Sequence, residues 1–123
     1  MSRVKVAWFV VSGLALLAAV MILQSSAQNE PSASSDFVKC LSEKNVRMFG
    51  FSSCSSCDFQ KRMFGENFNE VTYVDCSSPG SKGQTEYCAR EKIKSYPTWE
   101  ISGKKIMGEL SLSQLSSMTD CKL

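Results

Sequence analysis

Two patterns of apolar positions divide the chain. Residues 6–23 (VAWFVVSGLALLAAVMIL) are apolar and uncharged, interrupted only by Ser12 and Gly13. A helix of that length runs about 27 Å, close to the roughly 30 Å hydrocarbon core of a bilayer. It has no polar face with which to sit on a soluble core. Arg3 and Lys5 precede the run, and the first charge after it is Glu30. The positive-inside rule then places residues 1–5 in the cytoplasm, makes residues 6–23 a single transmembrane anchor, and exports the remainder. A cleaved signal sequence is the alternative, with Ser25, Ser26 and Ala27 as its small-residue site and a secreted product. Signal cores usually run about 7–15 apolar residues, so the longer run here favours an anchor. Residues 24–35 (QSSAQNEPSASS) lack apolar periodicity and read as a flexible linker.

From residue 36 to 123 the period changes to that of a folded domain. Ser35 and Asp36 can cap a helix over 37–44, with Phe37, Val38 and Leu41 on one side. A short apolar strand is predicted over 46–51 and a helix over 54–66, with Gly65 weakening its end. Residues 71–76 (VTYVDC) are β-branched and aromatic and predict a second strand. A loop over 77–83 (SSPGSKG) leads to a helix over 84–93 that turns Tyr87, Cys88 and Ile93 inward. Strands over 98–102 and 105–110 form a hairpin around Gly103. A helix over 111–119 then carries Leu112, Leu115 and Met118 at helical spacing. The expected order is α-β-α-β-α-β-β-α.

Composition narrows the chemistry. Of 14 basic residues against 12 acidic, Arg3 and Lys5 lie before the apolar run, which leaves the rest of the chain balanced. No basic patch of the kind nucleic acid needs is apparent. There is no histidine, which excludes His-based triads, His-ligated metals and histidine general bases together. Cysteine remains. All six cysteines fall in the part expected outside the cytoplasm, where disulfides persist.

Cys54 and Cys57 stand as Cys-Ser-Ser-Cys between a predicted strand and a predicted helix. At the helix start, unpaired N–H groups and the positive end of the macrodipole favour a thiolate on the first cysteine. The second lies one turn along on the same face, within reach of a disulfide to the first. One attacking thiolate and one neighbour able to displace it are the minimum apparatus for thiol–disulfide exchange. A structural zinc site, a structural staple in a non-catalytic binding domain, and a Cu(I)-handling pair are the alternatives. Met48, Met63 and Met107 can be cited for the last, although scattered methionines usually fill cores. Tyr96-Pro97-Thr98 places a proline at the opening of a strand. Alone, this reads as a trans proline ending a helix. About forty residues after a strand-CxxC-helix unit, and leading into a hairpin, it reads as a cis bond whose preceding backbone lies beside the disulfide and pairs with an extended substrate.

Taken together, strand, CxxC, helix, strand, helix, Xaa-Pro-Thr, hairpin and helix resemble the thioredoxin fold, an α/β domain with a central four-stranded mixed sheet flanked by helices. The segments FGFSSCSSC, YVDCSSPGSKGQTEYC and IKSYPTWEISGKKIMGELSL are more closely similar to the thioredoxin-like domains fused to, or partnering, bacterial and plant homologues of vitamin K epoxide reductase. The likeness covers nearly all of residues 37–120. It implies exchange of disulfides with exported cysteine-containing proteins, no cofactor beyond the Cys54–Cys57 disulfide, and reoxidation by a separate quinone-linked membrane partner. It also implies Cys54 as the attacking sulfur, Cys57 as the resolving one, Pro97 as the cis-proline and Tyr96 as the residue presenting backbone to substrate. Cys76 and Cys88 match the extra cysteine pair of those domains, which leaves Cys40 with Cys121; both pairs are expected to be structural, with a relay role the alternative for Cys76 and Cys88.

Two positions depart from the resembling domains. Ser55-Ser56 stands where relatives often carry Pro-His and thioredoxin carries Gly-Pro, and Met48 stands where thioredoxin keeps a buried acid. Asp58 reads as a solvated helix charge. The sequence therefore leads to a membrane-tethered thiol–disulfide oxidoreductase acting in a periplasm or equivalent lumen as an oxidase. A reductase fed by a membrane electron carrier is the alternative within that class.

Overall fold

The computed structural model describes residues 32–80 and 83–123. The expected cytoplasmic end, the anchor over 6–23 and all but the last residues of the linker lie outside the described residues. Among the described residues no helix is long and apolar enough to cross a membrane.

The elements follow the expected order: α1 (Ser35–Glu43), β1 (Arg47–Gly50), α2 (Ser55–Arg62), a 3-10 turn (Gly65–Glu70), β2 (Thr72–Asp75), α3 (Glu86–Arg90), β3 (Thr98–Ile101), β4 (Lys104–Met107) and α4 (Leu112–Thr119). The strands form one sheet in the order β2-β1-β3-β4. β1 runs parallel to β2 and antiparallel to β3, and β4 is antiparallel to β3. A mixed four-stranded sheet flanked by helices is compatible with a thioredoxin-like fold.

Side chains alternate across the sheet, and two cores result. Met48 and Trp99 join Phe37, Val38 and Leu41 of α1, Cys57 of α2, Phe64 and Leu115 of α4 in the larger one. Phe49 packs with Cys76, Cys88 and Ile93 in the smaller.

Several boundaries differ from the sequence reading, each for a local reason. The cap of α1 is Ser34, whose hydroxyl accepts from the Phe37 N–H (3.2 Å). Ala33 is buried and donates its N–H to the Met63 carbonyl (3.0 Å), so packing begins within the segment read as linker. The second helix ends at Arg62, because Gly65 adopts φ +55° and the chain passes into a 3-10 turn. The third helix shrinks to five residues, capped by the Thr85 hydroxyl on the Cys88 N–H (3.3 Å). Tyr87 is 38% exposed and does not turn inward. Its hydroxyl accepts from Arg47 Nη1 (2.7 Å), which draws the ring to the surface. Met118 is likewise exposed, and Thr119 takes the buried position by donating its hydroxyl to the Leu115 carbonyl (2.6 Å).

Candidate redox site

The site gathers where β1 ends, β2 ends and β3 begins. Parallel pairing of β1 with β2 brings their C-terminal ends together. Antiparallel pairing brings the start of β3 to the same edge, with Phe49 opposite Thr98. Continuing that register sets Tyr96 across from Phe51, and the two rings meet with centroids 5.3 Å apart.

From Phe51 the chain turns sharply into α2. The Cys54 N–H donates to the Phe51 carbonyl (3.2 Å), and the Ser52 N–H donates to the Ser77 hydroxyl (2.7 Å) beyond β2. Ser77 in turn donates its own N–H to Asp75 Oδ1 (2.9 Å). That bond, with the Ser77 hydroxyl and the charge of Lys61, holds the Asp75 carboxyl below its ordinary value. The turn that presents Cys54 is thus pinned to the end of the neighbouring strand.

Cys54 is the N-cap of α2, and its sulfur accepts from the Cys57 N–H (3.0 Å). Cys54 and Cys57 are joined by a disulfide. Cys54 is half-buried, whereas Cys57 is fully buried. The two cysteines are therefore unequal: Cys54 is half-buried at the positive end of a helix, and Cys57 is fully buried one turn along.

The Tyr96–Pro97 peptide bond is cis. Pro97 is buried, and its carbonyl accepts from the Gly108 N–H (2.8 Å). The Tyr96 hydroxyl is hydrogen-bonded to the Gln84 side-chain amide (3.2 Å), and burial raises its pKa. Thr98 donates its hydroxyl to the Ser95 carbonyl (2.7 Å) and closes the turn.

The remaining cysteines form two further disulfides, Cys76–Cys88 and Cys40–Cys121. Cys76 and Cys88 are fully buried and clamp the end of β2 to α3. Cys40 on α1 is half-buried, and its partner Cys121 is buried after α4. The methionines cited for copper lie in three settings. Met48 is buried in the larger core, Met63 is half-buried beside Gln60, and Met107 is 67% exposed on the edge strand β4. Asp58 is exposed on α2.

Two features escaped the sequence reading. Gln60 is fully buried, with every polar group of its amide engaged. Its signal was a polar residue one turn after Cys57 on the same helix face. Tyr73 lies over Gly50, and Lys61 Nζ sits 4.3 Å from the centre of the Tyr73 ring. A glycine in an otherwise apolar strand was the available sign that something approaches closely there.

No protein-family model matches this chain. Over 89 residues, 69% of its length, it is 39% identical to thiol-disulfide oxidoreductase LTO1 of Arabidopsis thaliana. The alignment covers 24% of that protein, so this chain spans about a quarter of the curated relative's length. The chain is thus a homologue of part of a thiol–disulfide oxidoreductase and carries a disulfide in its Cys-Ser-Ser-Cys segment.

Proposed function

We propose that this protein is a membrane-tethered thiol–disulfide oxidoreductase that oxidises exported cysteine-containing proteins. The observation that carries the reading is the inequality within the Cys54–Cys57 disulfide: a half-buried sulfur at the start of α2 bonded to a fully buried one. A substrate thiolate attacks Cys54 Sγ. The Cys54–Cys57 bond breaks, a mixed disulfide forms on Cys54, and the displaced electron pair leaves on Cys57, which takes a proton. A second substrate thiolate then attacks the substrate sulfur of that mixed disulfide and releases Cys54. The substrate loses two electrons to a new disulfide, and the chain gains them as a Cys54–Cys57 dithiol.

Tyr96 and Pro97 are the groups that receive the extended substrate beside this disulfide. The Phe51–Tyr96 ring contact supports that role by fixing Tyr96 against the strand end that leads to Cys54. Burial of both sulfurs favours a structural role for Cys76–Cys88 over a relay, because an incoming thiolate needs access to sulfur. The uncharged apolar run of residues 6–23, preceded by Arg3 and Lys5, supports a membrane anchor and export of the domain to a periplasm or equivalent lumen. The likeness to the domains that accompany vitamin K epoxide reductase homologues supports a separate quinone-linked membrane partner as the oxidant that restores the disulfide.

The test equilibrates the full chain in detergent with glutathione couples and measures its oxidation of a reduced, unfolded protein. The helix dipole favours the Cys54 thiolate by about 0.3–1 kcal/mol, and neither serine of the motif adds a positive charge. The expected potential therefore lies between thioredoxin at about −270 mV and the strongest periplasmic oxidant at about −120 mV. A value at or below that of thioredoxin overturns the oxidase direction and leaves a reductase.

A further inference from the structure

Gln60 lies one turn beyond Cys57 on α2, and both side chains are fully buried. Its Oε1 accepts from the Leu110 N–H (2.8 Å) and from Trp99 Nε1 (3.2 Å). Its Nε2 donates to the Leu110 carbonyl (2.9 Å) and to Met63 Sδ (3.3 Å). The amide therefore pairs with both polar groups of one backbone residue. Trp99 Nε1 and Leu110 N–H only donate and the Leu110 carbonyl only accepts, so the amide fits in one orientation alone. An ionised carboxylate offers no donor, and a methionine neither donates as an amide does nor accepts with its strength.

Both partners lead to Pro97. Trp99 stands two residues after it on β3. Leu110 stands two residues after Gly108, whose N–H donates to the Pro97 carbonyl (2.8 Å). One buried amide on the cysteine-bearing helix thus holds the strand that follows Pro97 and the segment bonded to the Pro97 carbonyl.

We infer that Gln60 is a positioning residue, setting the placement of the Tyr96–Pro97 backbone relative to the Cys54–Cys57 disulfide and so tuning the chain for extended peptide substrates. The inference rests on the exchange reading of that disulfide. A small dithiol attacks Cys54 without pairing to the backbone at Tyr96, so its reaction does not depend on this placement. A peptide thiol must satisfy both.

The test compares two reductants of the full chain in detergent: dithiothreitol, and an unfolded peptide carrying two reduced cysteines. The Gln60→Met variant is expected to lose about tenfold or more in kcat/KM toward the peptide while its rate with dithiothreitol stays within about twofold. The Trp99→Phe variant removes the indole N–H bond to Gln60 together with part of a fully buried ring, and serves if the first fails to fold; its rate with dithiothreitol reports the packing loss, and a further loss of about threefold toward the peptide alone is expected. Equal losses toward both reductants, or no loss toward the peptide, overturn the assignment. A wild-type chain that reacts with neither reductant overturns the exchange reading and this inference with it.

Discussion

The ring of Tyr73 on β2 occupies the space that a side chain at Gly50 on β1 would fill: an added Cβ would stand 2.5 Å from both Tyr73 Cε2 and Oη. Neither atom belongs to a freely swinging end, because Lys61 lies over one side of the ring and Phe68 meets it edge-on at 5.5 Å. Gly50→Ala should therefore destabilise the domain by about 1–3 kcal/mol through overpacking. Denaturant titration checks this. Adding Tyr73→Leu should recover part of the loss, and strictly additive effects would show that the two residues do not compete for space.

The unequal burial of the two active sulfurs assigns their order of use. Cys54→Ser should abolish exchange. Cys57→Ser should accumulate a mixed disulfide on Cys54, visible as an adduct by mass spectrometry under non-reducing conditions. Trapping in Cys54→Ser instead would invert the assignment.

Ser56 is half-buried in the first turn of α2, between the two cysteines. Ser56→His puts a titratable cation beside a thiolate that now has the Cys57 N–H and the helix dipole, but no positive side chain of the motif, for support. Stabilising the reduced form makes the disulfide a stronger oxidant, and a gain of one pK unit corresponds to about 30 mV for this two-electron couple. Equilibration with glutathione should show a rise of that order. An unchanged potential would mean that the serines are not what sets it.

Asp75 supplies a pH dependence. The Ser77 backbone N–H, then its hydroxyl, and the charge of Lys61 lower the carboxyl's pKa in the folded chain. A depressed folded value contributes stability above the unfolded value of about 3.9, and that contribution is lost as pH falls through the folded one. Asp75→Asn should thus be less stable than wild type at neutral pH, with the gap closing in acid. Thermal melts at a series of pH values check this, and a gap independent of pH would place the effect in packing.

With both sulfurs buried, Cys76–Cys88 should stay oxidised under reductant just sufficient to open Cys54–Cys57. Differential alkylation reads this directly. Replacing both residues with alanine should cost about 3 kcal/mol on the chain-entropy account. Alkylation of Cys76 and Cys88 in step with Cys54 and Cys57 would support a relay.

Much of this arrangement was legible because it is written in local periods. The strand of residues 46–51, the polar turn and the Cys54 start follow one another along the chain, and the position of Cys54 at a helix N-terminus needs no distant partner. What was hidden depends on contacts between remote segments. Tyr87 faces outward because Arg47, forty residues earlier, bonds its hydroxyl. Gln60 is buried because Trp99 and Leu110 arrive from the hairpin and the segment beyond it to satisfy its amide. On α4, Leu112 and Leu115 face the core as their spacing predicts, and only Met118 departs, because the last turn is fixed from beyond the helix: Asp120 takes φ +57° and the Cys121 N–H donates to the Thr119 hydroxyl (3.3 Å). Helical spacing alone cannot register an anchor that lies past the helix end.

The Cys40–Cys121 disulfide joins positions 81 residues apart. Everything between them, including all four strands and the redox helix, lies inside one covalent loop. Tension applied to the chain ahead of α1 and behind Cys121 is carried by the few residues outside that loop and by the sulfur–sulfur bond. The sheet bears none of that load. A pull strong enough to unwind the first turn of α1 stops at Cys40, and the geometry between Cys54 and Pro97 stays as it is until that bond is reduced.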